Sequence, residues 1–137
     1  MRIANNAIHQ KRPLMITVAG IVALVFGAAT LFSGGSVILV DGPARVAAGN
    51  YIPFVVWFNF LAGFFYIAAG IGLLLWKKWA VQLSTIIAMS TIVTFVILGI
   101  YIMQGNQYEM RTVAAMTLRS TIWSAIALYG WKVWKEA

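Results

Sequence analysis

The sequence predicts an all-α integral membrane protein, a four-helix transmembrane bundle built from two tandem helical hairpins, and three observations carry that prediction. The chain is 62% hydrophobic and only 9% charged, against about 25% charged residues in an average soluble domain, so most of its surface has to face hydrocarbon. No Asp, Glu, Lys or Arg occurs between Arg12 and Asp41, between Arg45 and Lys77, or between Lys78 and Glu109. Each gap exceeds the roughly 20 residues that cross about 30 Å of bilayer core. A fourth apolar stretch, from Thr112 to Trp131, is interrupted only by Arg119. Four spans fill 1–137 as a single membrane domain, which leaves no extramembrane segment large enough for a soluble enzyme.

The net charge of +7 is a topology signal here, not a nucleic-acid footprint. Arg2, Lys11 and Arg12 precede the first span, Lys77 and Lys78 separate the second from the third, and Lys132 and Lys135 follow the fourth. Only Arg45 and Arg111 fall in the other two loops. By the positive-inside rule both termini and the Lys77-Lys78 turn are cytoplasmic. Trp76, Trp79, Trp131 and Trp134 then fall at the inner interface and Tyr51, Tyr101 and Tyr108 at the outer one, an aromatic belt that agrees independently with the charges.

In chain order, residues 1–12 are a short polar lead-in at the interface. Basic Arg2, Lys11 and Arg12, an apolar run and Gly27-Ala28-Ala29 imitate a secretory signal; the segment is read as an uncleaved first helix over 13–33, opened by Pro13 at a first helical position. Ser33-Gly34-Gly35-Ser36 predicts a break. The outer loop 34–50 is the longest and the best recognition surface; its apolar Val37–Val40 dips against the membrane before a turn at Gly42-Pro43. The second helix covers 51–76, and the two-residue Lys77-Lys78 connection forces the third, 79–103, to return as its antiparallel neighbour. After a compact turn at Gln104–Glu109 the fourth helix covers 110–131.

Arg119 is the most costly residue to place, since a charge at the bilayer midplane costs roughly 2.5–3.5 kcal/mol on insertion scales. Asn59 lies eight residues past Tyr51 and Arg119 eight past Arg111, so at helical rise both sit about 12 Å below the outer ends of two parallel helices. A stripe of Ala62, Gly63, Tyr66 and Gly70 continues the Asn59 face and admits close helix approach. Ser90, Thr91 and Thr94 share a face of the third helix near the same level. The candidate intramembrane cluster is therefore Arg119, Asn59, Thr94 and Tyr66, with Asp41, Arg45, Tyr108, Glu109 and Arg111 as candidate outer-face residues. Three roles for Arg119 stay open: a polar clamp fixing helix order, a site for an anionic head group or solute entering from outside, and snorkelling to the outer interface towards Glu109 or Asp41.

Several chemistries lack their residues. There is no cysteine, and the single histidine, His9, lies in the N-terminal tail, so neither a haem with paired axial histidines nor a histidine-based metal site is expected. No carboxylate sits mid-span to relay protons, and no lysine lies in a span. Gly70-Ile71-Gly72 and Ser33–Ser36 lack the strand and lysine context of a phosphate loop. Met103, Met110 and Met116 have no His or Cys support and are read as apolar packing rather than a copper site. Asn59 and Arg119 occupy comparable depths, but the residues around them do not match, so no internal repeat is read.

The segment Gly105–Trp123, with Trp57–Gly63 and Trp79-Ala80, resembles small uncharacterised bacterial inner-membrane proteins. At the level of four short-looped helices the chain is similar to the DoxX-like group. The resemblance spans about Trp57 to Trp131 and implies a bacterial inner membrane; it implies no activity. The expected function is that of a non-catalytic, multi-pass accessory or interaction subunit, with the lipid bilayer, another membrane protein or self-association as partners and without cofactor or nucleic acid. The alternative is a small oligomeric carrier or channel for an anionic or neutral solute using Arg119 and Asn59, and an enzyme acting on lipid comes third.

Overall fold

In the computed structural model, which describes residues 13–136, the chain is all-helical, with 85% helix and no strand among those residues. Helix α1 covers Leu14–Ile38, a short α2 covers Pro43–Ala48, and three long helices follow: α3 (Pro53–Leu74), α4 (Lys78–Met103) and α5 (Met110–Glu136). The expectations that rested on Arg2, His9, Lys11 and Arg12 lie outside the described residues.

Three of the helices, α1, α3 and α4, are long and apolar enough to cross a membrane. Their outer faces carry large apolar side chains in the open, among them Val25, Phe64, Ile86, Met89 and Val96, each more than half exposed. Contiguous apolar surface of that kind is not sustained in water. The chain is thus a membrane protein. Helix α5 is equally long at 27 residues, but it carries Arg111, Arg119, Lys132 and Lys135 and does not reach the same composition.

Helices α1, α4 and α5 each bury one narrow seam, while α3 buries a broader face. In α1 the buried residues are Ile16, Gly20, Ala23, Gly27, Thr30 and Gly34, and in α4 they include Ala80, Ser84, Ile87, Thr91, Thr94 and Leu98. Both follow alternating steps of four and three, the spacing of a coiled-coil seam. The same spacing in α5 runs through Met116, Arg119, Trp123 and Ile126. Arg119 therefore lies on the face that packs inwards, not on the face towards lipid.

The tightest interface is α1 on α3. A Cβ placed on Gly20 would lie 3.1 Å from the Gly70 carbonyl oxygen, and one on Gly27 would lie 3.0 Å from that of Gly63. Backbones this close admit no side chain between them, the packing mode favoured where lipid supplies no hydrophobic drive between helices. Beside this interface Tyr66, Leu73, Trp123 and Ile126 form the main core, and Ile52, Val55, Leu98 and Met116 form a smaller cluster near the α2 end.

The α3–α4 turn is tighter than a glycine-free sequence suggests. Trp76 adopts φ 53°, a left-handed conformation, while the Lys77 amide donates to the Gly72 carbonyl and the Trp76 amide to that of Leu73, which is the Schellman arrangement usually completed by glycine. Trp76 is buried and packs edge-on against Trp134 of α5, ring centroids 5.0 Å apart. That burial compensates the strain of a bulky residue at positive φ.

The expected break at Ser33–Ser36 does not occur: α1 continues through it to Ile38. The serines satisfy themselves along the helix, Ser36 Oγ donating to the Phe32 carbonyl at 2.7 Å and Ser33 Oγ to that of Thr30 at 3.4 Å. Gly34 faces Phe60 of α3, where a Cβ would stand 3.2 Å away. The loop that follows α1 is correspondingly shorter and contains α2.

Candidate functional site

Two arginines and one glutamate organise the α2 end of the molecule. The last turn of a helix leaves carbonyls without partners, and Arg45 meets those of α1, donating from Nε to the Val37 oxygen at 2.8 Å and from Nη2 to the Ile38 oxygen at 2.7 Å. Asp41 stands 3.6 Å from the Arg45 guanidinium. Arg111, at the start of α5, reaches back to the end of α2 and donates to the Ala47 carbonyl at 2.9 Å. Glu109 accepts the Asn50 amide at 2.9 Å and lies 3.8 Å from Arg111. Between them Gly49 has φ 66°, and a Cβ there would be 2.7 Å from Glu109 Oε2, so the residue that grants the backbone its left-handed turn also makes room for the carboxylate. Asp41, Arg45, Glu109 and Arg111 thus fasten the α1–α3 loop to two helices; Tyr108 is exposed.

Beneath this clamp a cavity of about 320 Å³ is lined by Ser33, Tyr51, Asn59, Glu109, Arg111 and neighbouring apolar residues. A second, about 160 Å³, is lined by Thr30, Ser33, Gly34, Val56, Asn59 and Arg119. Ser33, Val56 and Asn59 border both, so the two adjoin and step down from the loop to Arg119. No carboxylate lines the deeper one.

Arg119 is 8% exposed. Its Nη1 donates to Thr30 Oγ1 at 3.1 Å and to the Tyr66 hydroxyl oxygen at 3.2 Å, and its guanidinium carbon lies 4.9 Å from the centroid of Phe26 and 5.8 Å from that of Tyr66. Tyr66 is held in turn between Phe26, stacked at 5.5 Å, and Trp123 at 4.9 Å. These contacts orient the cation and solvate part of it, a desolvated cation–π contact being worth about 2 kcal/mol, but every one of them is to a neutral group. Asp41 and Glu109 are engaged with Arg45 and Arg111, and no ion pair to Arg119 exists among the described residues. Its Nε remains without a hydrogen-bond partner, as does Asn59 Oδ1 on the same cavity.

Of the four residues in the expected intramembrane cluster, the structure joins Arg119 to Tyr66 directly and sets Asn59 on the shared cavity without a bond to Arg119. Thr94 goes elsewhere: its hydroxyl donates to the Ser90 carbonyl at 2.9 Å on its own helix, the usual way a buried threonine satisfies itself in a helix. Of the three roles left open for Arg119, the reach towards Glu109 or Asp41 is not made, because the α5 seam turns the side chain inwards. Thr30 and Phe26 were missed; the signal for them was the small-residue seam of α1, which places Thr30 on the face that meets α3. Met103 and Met110 are exposed while Met116 is fully buried, so the three methionines do not converge. No family model, no curated protein and no solved structure matches the chain.

Proposed function

We propose that the protein binds a small anionic group at Arg119, admitted from the outer face past the Glu109–Arg111 clamp, and that it does so as a four-span bundle with both termini in the cytoplasm of a bacterial inner membrane. The observation that carries this reading is a buried guanidinium whose hydrogen-bond partners are all neutral, whose Nε has none, and which borders a cavity with no acid in its lining. Leaving one charge of a buried pair uncompensated is strongly unfavourable, about 3–5 kcal/mol where it has been measured. A polar clamp alone would be served as well by an uncharged glutamine. An anion would supply both the missing acceptor and the missing charge, and Asn59 and Ser33 would offer it polar contacts along the way in.

On this reading α5 also spans the bilayer, its single mid-helix charge sheltered on the packed face. The role is binding or carriage of solute, without catalysis; if carriage, the enclosed volume calls for self-association. An accessory role beside another membrane protein is the competing reading, and no specific contact surface favours it.

The test is thermal unfolding of the purified protein in an uncharged detergent with acetate, benzoate or phosphate titrated against chloride. A bound anion at a hundredfold excess over its dissociation constant stabilises by about 2.7 kcal/mol, several degrees in melting temperature. Arg119→Gln should fold and lose the response, and Arg119→Lys should keep part of it. Equal anion response in the wild type and Arg119→Gln refutes the proposal, and a stoichiometric foreign subunit retained on native mass measurement would restore the accessory reading.

A further inference from the structure

Resting on that anion site, we infer that the ligand is a single-chain amphiphile with one negative charge, a fatty-acid-type carboxylate, whose head meets Arg119 and whose chain lies along the seam between α1 and α5. The number of charges follows from the site. Among the described residues Arg119 is the one cation at its level; Arg111, eight residues away, is about 12 Å higher at helical rise. A monoanion leaves the buried pair neutral, whereas a dianion would leave a net charge at that depth, which is costly in hydrocarbon.

The tail follows from the seam. Helices α1 and α5 meet at Arg119 through side chains, on Thr30 and Phe26, with none of the backbone contact that closes α1 on α3. Below Phe26 the seam opens into a groove of about 270 Å³ lined by Val18, Ala19 and Val22 of α1 and by Ile122, Ala125 and Tyr129 of α5, with essentially no polar surface. From Thr30 down to Met15, which lines the far part of the groove, is fifteen residues, about 22 Å of helix, the reach of one long acyl chain. A small hydrophilic anion would have no use for this groove. A larger apolar groove between α3 and α4, about 400 Å³, ends on Ser90 with no cation beside it. Of these two grooves only the α1–α5 one lies on a seam that holds a cation, Arg119 standing one turn above Ile122 on α5.

The experiment uses the full chain in phosphatidylcholine nanodiscs, photolabelled with hexadecanoate carrying a diazirine in its distal half and mapped by peptide mass spectrometry. Labelling is expected to concentrate on 15–22 and 122–129 and to be displaced by unlabelled hexadecanoate but not by hexadecanol or hexadecylamine. It should fall about ten-fold or more in Arg119→Gln, the loss expected for deleting one charge-assisted contact, and persist in Arg119→Lys. Ala125→Phe, which fills the groove, should abolish labelling there and leave the acetate stabilisation unchanged. Labels spread evenly over the lipid-facing side of α4 at Ile86, Met89 and Val93, or indifferent to head-group charge, overturn the inference. Acetate stabilisation that depends on Arg119, without groove labelling, overturns the amphiphile alone; absence of any Arg119-dependent anion response overturns the underlying site as well.

Discussion

Replacing Gly27 with alanine puts a methyl group where it would lie 2.7 Å from Ile67 Cγ1, 3.0 Å from the Gly63 carbonyl oxygen and 3.1 Å from Tyr66 Cβ. The isoleucine branch can turn aside, but the oxygen and the Tyr66 Cβ belong to the frame of α3, so the two helices have to part by a few tenths of an ångström. Forcing a methyl group into a packed interface costs about 1–3 kcal/mol. The same substitution gains about 1 kcal/mol of helix propensity, which obscures the packing cost when Gly27→Ala is measured alone. Gly99 supplies the reference: it lies within α4, and a Cβ there meets nothing within 4 Å. Gly99→Ala therefore takes the propensity gain without the clash, and the difference between the two variants isolates about 1–3 kcal/mol of overpacking. Equilibrium unfolding in mixed micelles, followed by tryptophan fluorescence, should place Gly99→Ala at or above the wild type and Gly27→Ala below both. Equal stabilities would refute the idea that α1 and α3 are held by backbone contact. Because Thr30 and Tyr66 flank this contact and both hold Arg119, Gly27→Ala should also weaken the anion response.

Tyr66→Phe keeps the ring between Phe26 and Trp123 and removes one of two acceptors for Arg119 Nη1. It should cost about 1–3 kcal/mol in the same unfolding assay, and wild-type stability would show that Thr30 alone suffices. Glu109→Ala should speed amide exchange across 43–50 while the long helices keep their protection, since Glu109 holds the Asn50 amide; unchanged exchange would mean that Arg111 fastens the loop by itself. Trp131→Phe deletes the 2.6 Å bond from Nε1 to Thr85 Oγ1, which ties α5 to α4. The expected loss is about 1 kcal/mol, and no loss would assign that contact to geometry without energy.

The apolar spans were readable because charge is the one property a lipid-facing helix cannot hide, and the uncharged gaps match α1, α3 and α4. The misreading at Ser33–Ser36 came from carrying over a rule made for water. In hydrocarbon a glycine has no solvent to compete for its backbone, and each serine closes on the turn before it, so glycine and serine there mark close packing against Phe60. The shared level of Asn59 and Arg119 along their helices was legible too, and the two border one cavity. What the sequence could not supply was rotation. Thr94 and Thr30 are equally polar and similarly deep, and only the seam of each helix determines that Thr30 faces the guanidinium while Thr94 turns to its own backbone.

The partners of Arg119 also bear on how the molecule comes to be made. Thr30 and Phe26 belong to the first long helix and Tyr66 to the second, while Arg119 is on the last to be synthesised. Alone in a lipid environment α5 would carry an unsheltered guanidinium, at the roughly 2.5–3.5 kcal/mol cost of a central arginine. Beside α1 and α3 it finds its hydrogen bonds and ring contacts already built. On the proposed four-span topology, entry of α5 into the bilayer should thus depend on helices finished earlier: an insertion reporter fused after α5 should score poorly for the isolated segment and well for the full chain, and Tyr66→Ala, 53 residues upstream of Arg119, should lower the second score without touching the first.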